Sequence, residues 1–214
     1  MKQVYVIRHG QTGWNAEGRW QGHADVALSA EGIAQARALA KRLSAVDFAA
    51  VYSSDLERAR ETGRILAEAT GAPLVIDPRL RELNLGALQG LTHAEIHERY
   101  PDDVDQMRVN YLDHVITRGE SRRALQARAY AAWQDMLEQT GSRPIALVSH
   151  GGTIRLLLLR LLDPAQRDAI MHMELGNTSW TVLDVGEDGA VRMSVAADSS
   201  HLERRASDEG EAQI

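Results

Sequence analysis

Two histidines and two arginines stand where strand-like runs give way to glycine or to a helical pattern. Arg8-His9-Gly10-Gln11-Thr12 follows the apolar run Val4-Tyr5-Val6-Ile7, and His150-Gly151-Gly152-Thr153 follows the run 144–149. Ser53-Ser54-Asp55 ends a third run, with Arg58 in the first turn of the helical pattern behind it. An imidazole can attack phosphorus, and a guanidinium fork fits the oxygens of a phosphoryl group or a carboxylate. Glycines beside both histidines let the main chain approach a ligand closely. A helix starting near Gly152 would aim unpaired N–H groups at the same place, which favours an anion. Taken singly, a histidine after a strand is more often structural. An arginine in a helix's first turn opposes the helix dipole and usually faces solvent. Four such residues at three strand ends point instead to one phosphoryl site.

The elements that would carry them alternate. Strand patterns occupy 3–7, 48–53, 74–76, 144–149, 178–185 and 190–196. Helical spacing appears in Ile33, Ala36, Leu39, Ala40 and Leu43 behind a Ser29 cap, and in Ala59, Thr62, Ile65, Leu66 and Ala69 before Gly71. Two more helices are expected over 121–140 and 153–162. This alternation predicts an α/β fold, a three-layer α/β/α sandwich around a mostly parallel sheet. The last two strands meet across Gly186-Glu187-Asp188-Gly189, so an antiparallel edge strand is expected. In open sheets of this kind ligands bind beyond the carboxyl ends of the strands. A single domain is expected over 1–197. The Asp-rich stretch 91–124 has few evident core positions and reads as a helical lid excursion over the sheet. The polar segment 198–214 reads as a mobile tail.

Composition narrows the partners. The 214 residues carry a net charge of −6 and no cysteine, which excludes disulfides, thiolate metal sites and cysteine nucleophiles. An acidic chain without a basic run is a poor match for nucleic acid. Of its 24 basic residues 22 are arginine, which suits oxyanion recognition but also follows from codon usage. The apolar stretch Leu156–Leu162 is interrupted by Arg160 and is too short for a bilayer, so no membrane partner is expected. With no secretory pattern behind Met1, the expected location is cytoplasmic. His93 and His97 share a helical face without a third ligand, and His23-Ala24-Asp25 is the other metal-like pattern; no metal site is expected at either. Trp14 and Trp20 suit core packing or the mouth of a site equally.

Arg8-His9-Gly10-Gln11-Thr12 with Asn15 resembles the signature of the histidine phosphatase superfamily, phosphoglycerate mutase-like branch. Four further blocks match in order: Gln21-Gly22 through Gln35-Ala36, Ser53 through Thr62, Arg81 through Gly90, and Val148 through Gly152. The resemblance implies that His9 is the nucleophile and Glu82 the proton carrier. It implies that Arg8, Arg58 and His150 hold the phosphoryl oxygens, with Asn15, Gln21, Gly22 and Gly151 as further binding positions. Hydrolysis divided into two steps in this way needs no metal or other cofactor, and the expected partner is a small phosphorylated substrate. The resemblance also makes a homodimer a candidate assembly.

The chain departs from cofactor-dependent mutases in the blocks that would grip a second charged group. Asn84-Leu85 precedes Gly86, Thr92-His93 stands where Asn-Lys is usual, and Met107-Arg108-Val109-Asn110 replaces the paired lid arginines. Gln21-Gly22 likewise resembles the phosphatases. The expected activity is therefore a metal-independent phosphomonoester hydrolase working through phosphohistidine. The alternative is a mutase dependent on 2,3-bisphosphoglycerate. It is favoured by Gly86-Ala87-Leu88-Gln89-Gly90-Leu91, with Arg108, Arg118, Arg122 and Arg123 as substitutes for the missing cations. A third reading, a non-catalytic phosphate- or phosphoprotein-binding module, leaves the complete catalytic set without a purpose.

Overall fold

Ile145–Ser149 is buried at every position, as expected of an unbroken apolar strand covered on both faces. It is the fourth strand, β4, of a six-stranded sheet in a computed structural model that describes residues 1–202. The others are β1 (Lys2–Arg8), β2 (Ala50–Ser53), β3 (Leu74–Ile76), β5 (Trp180–Val185) and β6 (Val191–Asp198). Their order is β3-β2-β4-β1-β5-β6. The first four strands in that order run parallel, β5 is antiparallel to β1, and β6 returns antiparallel to β5. The reversed strand thus lies one place in from the edge.

The described helices are α1 (Gly13–Ala16), α2 (Ala30–Leu43), α3 (Glu57–Thr70), α4 (His93–Arg99), α5 (Pro101–Val109), α6 (Arg122–Gln139), α7 (Gly151–Leu161) and α8 (Pro164–Met171). Leu39, Leu43 and Leu66 of α2 and α3 pack one face of the sheet with Ile7, Val51 and Val148. Trp133, Met136, Ile154 and Leu157 of α6 and α7 pack the other with Val4, Val6 and Leu147. This is the three-layer α/β/α sandwich. Ser29 caps α2 through Gly32 N, and Gly71 closes α3 in the left-handed region at φ +70°.

Several boundaries differ from the sequence reading. The strand expected from 178 begins at Trp180, because Thr178 sits at φ +55°, outside any strand conformation. The excursion 91–124 is less polar than its composition suggests. Its Ile96, Met107 and Ile116 bury themselves in a third apolar cluster with Leu83, Leu85, Leu88, Leu125 and Leu156. The tail begins docked: His201 packs against Trp180 at 5.2 Å between ring centroids, and its Nε2 lies 2.9 Å from Thr178 Oγ1. The remainder of the expected tail, 203–214, lies outside the described residues. No helix among the described residues is long and apolar enough to cross a membrane.

Candidate active site

Register brings the two histidines together. Arg8 of β1 pairs with Ser149 of β4, so the residues that follow, His9 and His150, emerge side by side, 5.1 Å apart between ring centroids. On the other side of β4, Ser53 pairs with Val148, which sets Ser54 against His150 with Oγ 2.9 Å from Nε2. Ser54 Oγ also accepts from Leu56 N–H. In the tautomer in which Ser54 donates to His150 Nε2, the His150 proton stands on Nδ1, which is buried and has no partner.

His9 is buried, with Nδ1 donating to the Gly10 carbonyl at 2.6 Å. The bond leaves the Nε2 lone pair unused. Burial, then the Arg58 and Arg8 guanidiniums, hold the His9 imidazole well below the ordinary histidine range. Burial, then Arg58 and His9, act in the same direction on His150. Both rings are therefore neutral at neutral pH.

Arg58 is 1% exposed although it stands in the first turn of α3. Its Nη1 and Nη2 donate to the Ala24 and Gly22 carbonyls, each at 2.8 Å, and its Nε is buried without a partner. Burial lowers its pKa to about 10, so it remains cationic at neutral pH. Arg8 donates to the Leu175 carbonyl and likewise keeps a buried, unpartnered Nε. Asp25 of the metal-like triplet instead caps α3, accepting from Glu57 N–H at 2.7 Å.

Glu82 faces this group from the segment after the short turn Pro78–Leu80. Its carboxylate accepts from Gly152 N–H at 3.0 Å and Thr153 N–H at 3.1 Å, the first turn of α7, and from Leu83 N–H at 2.8 Å. Glu82 thus occupies the α7 N-terminus, where His150, the residue in the capping position, makes no side-chain cap. Its charge acts on both Arg8 and Arg58.

These groups open into a cleft of about 450 Å³ lined by Arg8, His9, Asn15, Gln21, Gly22, Arg58, Glu82 and Gly151. Every catalytic or binding residue that the resemblance implies lines it except His150, which is fully buried beside His9; of the two tryptophans, Trp20 lines it and Trp14 does not. Asn15 Oδ1 is occupied by Thr12 N–H and Gln21 Oε1 by the Thr12 hydroxyl, leaving both amide nitrogens for a ligand. The outer wall consists of Trp20, Leu83, Leu85, Tyr111, Leu175, Arg19, Arg122 and Arg155. Of the four candidate substitute arginines only Arg122 reaches it, stacked 4.3 Å over Tyr111. Arg108 and Arg118 are exposed, and Arg123 pairs with Asp113 on the surface.

Arg155, Tyr111 and Leu175 were not singled out from sequence. Arg155 could have been, because it stands four residues after Gly151 on α7 and so shares its face. Asn177 and Thr178 were also missed. Asn177 Nδ2 and Thr178 N–H both bond the His9 carbonyl, at 3.0 and 3.3 Å, and so fix the main chain of the central histidine. The exposed pair His93 and His97 bond each other, Nε2 to Nε2, at 2.9 Å. Among the described residues no three His, Asp or Glu side chains gather closely enough to hold a metal.

A parallel-sheet edge carrying two neutral histidines, two buried guanidiniums and one capped carboxylate has the charge and the nucleophile that binding and transferring a phosphoryl group would need. The chain belongs to the histidine phosphatase superfamily, branch 1, whose family model matches residues 4–198, and it is an enzyme of that class. It is 38% identical to proteins named "Probable phosphoglycerate mutase GpmB" from Enterobacter sp. (strain 638) and Escherichia fergusonii, over 98% of this chain and 99% of each relative. Among solved structures it resembles the alpha-ribazole phosphatase from Shigella flexneri, with a TM-score of 0.81 and 30% identity over 92% of this chain and 96% of that one. A mycobacterial glucosyl-3-phosphoglycerate phosphatase, solved with VO3, gives a TM-score of 0.80 and 35% identity over 92% and 99%.

Proposed function

We propose that the protein is a metal-independent phosphomonoester hydrolase that acts on a small phosphorylated metabolite through a phosphohistidine on His9. One observation carries the reading. Four buried side-chain polar atoms among the described residues have no partner, and three of them, Arg8 Nε, Arg58 Nε and His150 Nδ1, belong to this site. An unsatisfied buried donor costs about 1–3 kcal/mol. A phosphoryl group in the cleft would supply acceptors to the two guanidinium donors, and to His150 Nδ1 in the tautomer that carries the proton there.

His9 Nε2, unprotonated and oriented by the Gly10 carbonyl, attacks phosphorus in line. The N–P bond forms as the ester P–O bond breaks. Arg8, Arg58 and His150 take up charge on the non-bridging oxygens, with Asn15, Gln21 and the Gly22 and Gly151 main chain around them. The Glu82 carboxylate takes a proton from the bound phosphate monoanion and passes it to the departing alkoxide. It then takes a proton from the water that attacks the N–P bond, and His9 leaves neutral. The guanidiniums supply the positive charge that a metal would otherwise bring.

Hydrolysis rather than transfer to a second oxygen is favoured by the outer wall. Arg122 donates to the Met107 and Tyr111 carbonyls, and Arg155 to those of Ile170, Met171 and Met173. Arg155 has both terminal nitrogens engaged and Arg122 only Nη1, and leucines and Trp20 make up much of the remaining wall. The phosphatase names of the structural relatives agree. The name carried by the 38% identical relatives favours the second reading, a phosphoglycerate mutase using 2,3-bisphosphoglycerate.

Phosphorus NMR separates the two. The protein and a His9→Ala variant are given 3-phosphoglycerate in EDTA, with and without trace 2,3-bisphosphoglycerate. Inorganic phosphate formed only by the wild type, independently of the bisphosphate, supports the hydrolase. A 2-phosphoglycerate signal that requires the bisphosphate overturns it in favour of the mutase. If neither forms, the mutase is excluded and a panel of aryl and alkyl phosphates is run on the same pair. Turnover absent from the whole panel leaves the binding module.

A further inference from the structure

Glu82 sits on no helix or strand, yet its task requires a fixed carboxylate. Its main chain is held by one guanidinium. Arg128 of α6 donates through Nη1 to the carbonyls of Arg79 and Arg81, at 2.8 and 2.7 Å, and through Nη2 to that of Glu82 at 2.7 Å. Nη2 also meets Glu120 Oε1 at 2.6 Å. The same Glu120 oxygen accepts from Asn84 N–H at 2.8 Å, and Glu120 N–H donates to the Asn84 carbonyl at 3.0 Å. His23 Nε2 adds a second donor to the Glu82 carbonyl at 2.7 Å. Neither Arg128 nor Glu120 lines the cleft, so neither touches a substrate there.

A planar fork with five donors can span three carbonyls, and a carboxylate partner neutralises the half-buried charge. We propose that Arg128, paired with Glu120, is a positioning residue that fixes the Glu82 carboxylate for proton transfer to the leaving oxygen. The inference rests on the reading of Glu82 as the proton carrier. It also joins two parts of the fold, because Glu120 lies late in the excursion that supplies Tyr111 to the cleft wall, two residues before α6.

A positioning role leaves a signature that a purely structural role does not. An aryl phosphate such as p-nitrophenyl phosphate expels a stabilised phenolate and needs little protonation. An alkyl phosphate expels an alkoxide and needs it. The measurement is kcat/KM for p-nitrophenyl phosphate and for the best alkyl phosphate of the panel above, in wild type, Glu82→Gln, Arg128→Gln, Arg128→Lys and Glu120→Gln, with Tm alongside. Glu82→Gln is expected to lower the alkyl ester by about 10²–10⁴-fold and the aryl ester far less. Arg128→Gln should reproduce the skew, with a loss of about 10²-fold on the alkyl ester through kcat. Arg128→Lys should recover part of it.

Equal losses on both esters, or no loss, in Arg128→Gln would overturn the inference. If that variant does not fold, Glu120→Gln decides in its place, by the presence or absence of the skew. A Glu82→Gln enzyme without skew shows instead that Glu82 is not the proton carrier. A wild type that hydrolyses neither ester overturns the functional reading, and this inference with it.

Discussion

His9 and His150 are neutral because their surroundings, not their own chemistry, make protonation costly. Their pKa values lie below the unfolded value of about 6.5, so above that pH neither folded nor unfolded chain holds a proton on them. As pH falls through 6.5 the unfolded chain takes up protons first, and stability declines by up to about 1.4 kcal/mol per pH unit for each histidine. His9→Asn should therefore shrink the loss of unfolding free energy between pH 7 and pH 5.5 by about 1 kcal/mol, read from urea midpoints. An unchanged loss would mean that His9 is not held neutral. Gly152 is a second test at this scale, since a Cβ there would lie 2.5 Å from Glu82 Oε1. The obstacle is the end of a flexible side chain, so Gly152→Ala should displace the carboxylate. Activity on alkyl phosphates should fall about 10²-fold with little change in Tm. The types and spacing of Arg8, His9, Arg58 and His150 were legible in the sequence because each stands at, or within a few residues of, the carboxyl end of a strand. Arg128, Asn177 and Thr178 were not, because they act through main-chain carbonyls whose positions only the fold reveals.

Elements place these residues by register and by close main-chain approach. The adjacency of β1 and β4 is a topological fact: the first and fourth strands are neighbours, although nearly all of the chain's first two-thirds separates them. The strand pattern showed that both exist and end in histidine, but not that they pair. The segment 84–87 and the end of the excursion are locked in a similar way. A Cβ on Gly119 would lie 2.2 Å from the Asn84 carbonyl oxygen, and one on Gly86, at φ +48°, 2.3 Å from that of Thr117. Both obstacles are backbone, so Gly119→Ala should cost on the order of 1–3 kcal/mol in urea denaturation and lower activity by moving Glu120. Unchanged stability would show that the two segments can part freely. The excursion's own core escaped the sequence reading because Ile96, Met107 and Ile116 come from separate short pieces, so no period links them. The helix α1, four residues long, is too short for periodicity, although its Thr12-x-x-Asn15 capping box was a readable signal.

At the scale of the whole molecule, one sheet edge gathers the two histidines, the two buried arginines and Glu82. A second cleft of about 360 Å³, lined by Met1, Lys2, Leu137, Val185 and Glu187, holds no histidine and shares no residue with the first. Catalysis should accordingly survive EDTA and vanish in His9→Ala at unchanged Tm. Activity that is lost on chelation and restored by a divalent cation would contradict the role given to the guanidiniums. The most direct test of the central claim is to quench the protein within a turnover of a good aryl phosphate and weigh the intact chain and its peptides. The account predicts one phosphoryl group, stable to alkali and labile to acid, on the peptide containing His9, and none in His9→Ala. Turnover with no such adduct on His9 in wild type or in Glu82→Gln, where its breakdown should be slowed, would contradict it.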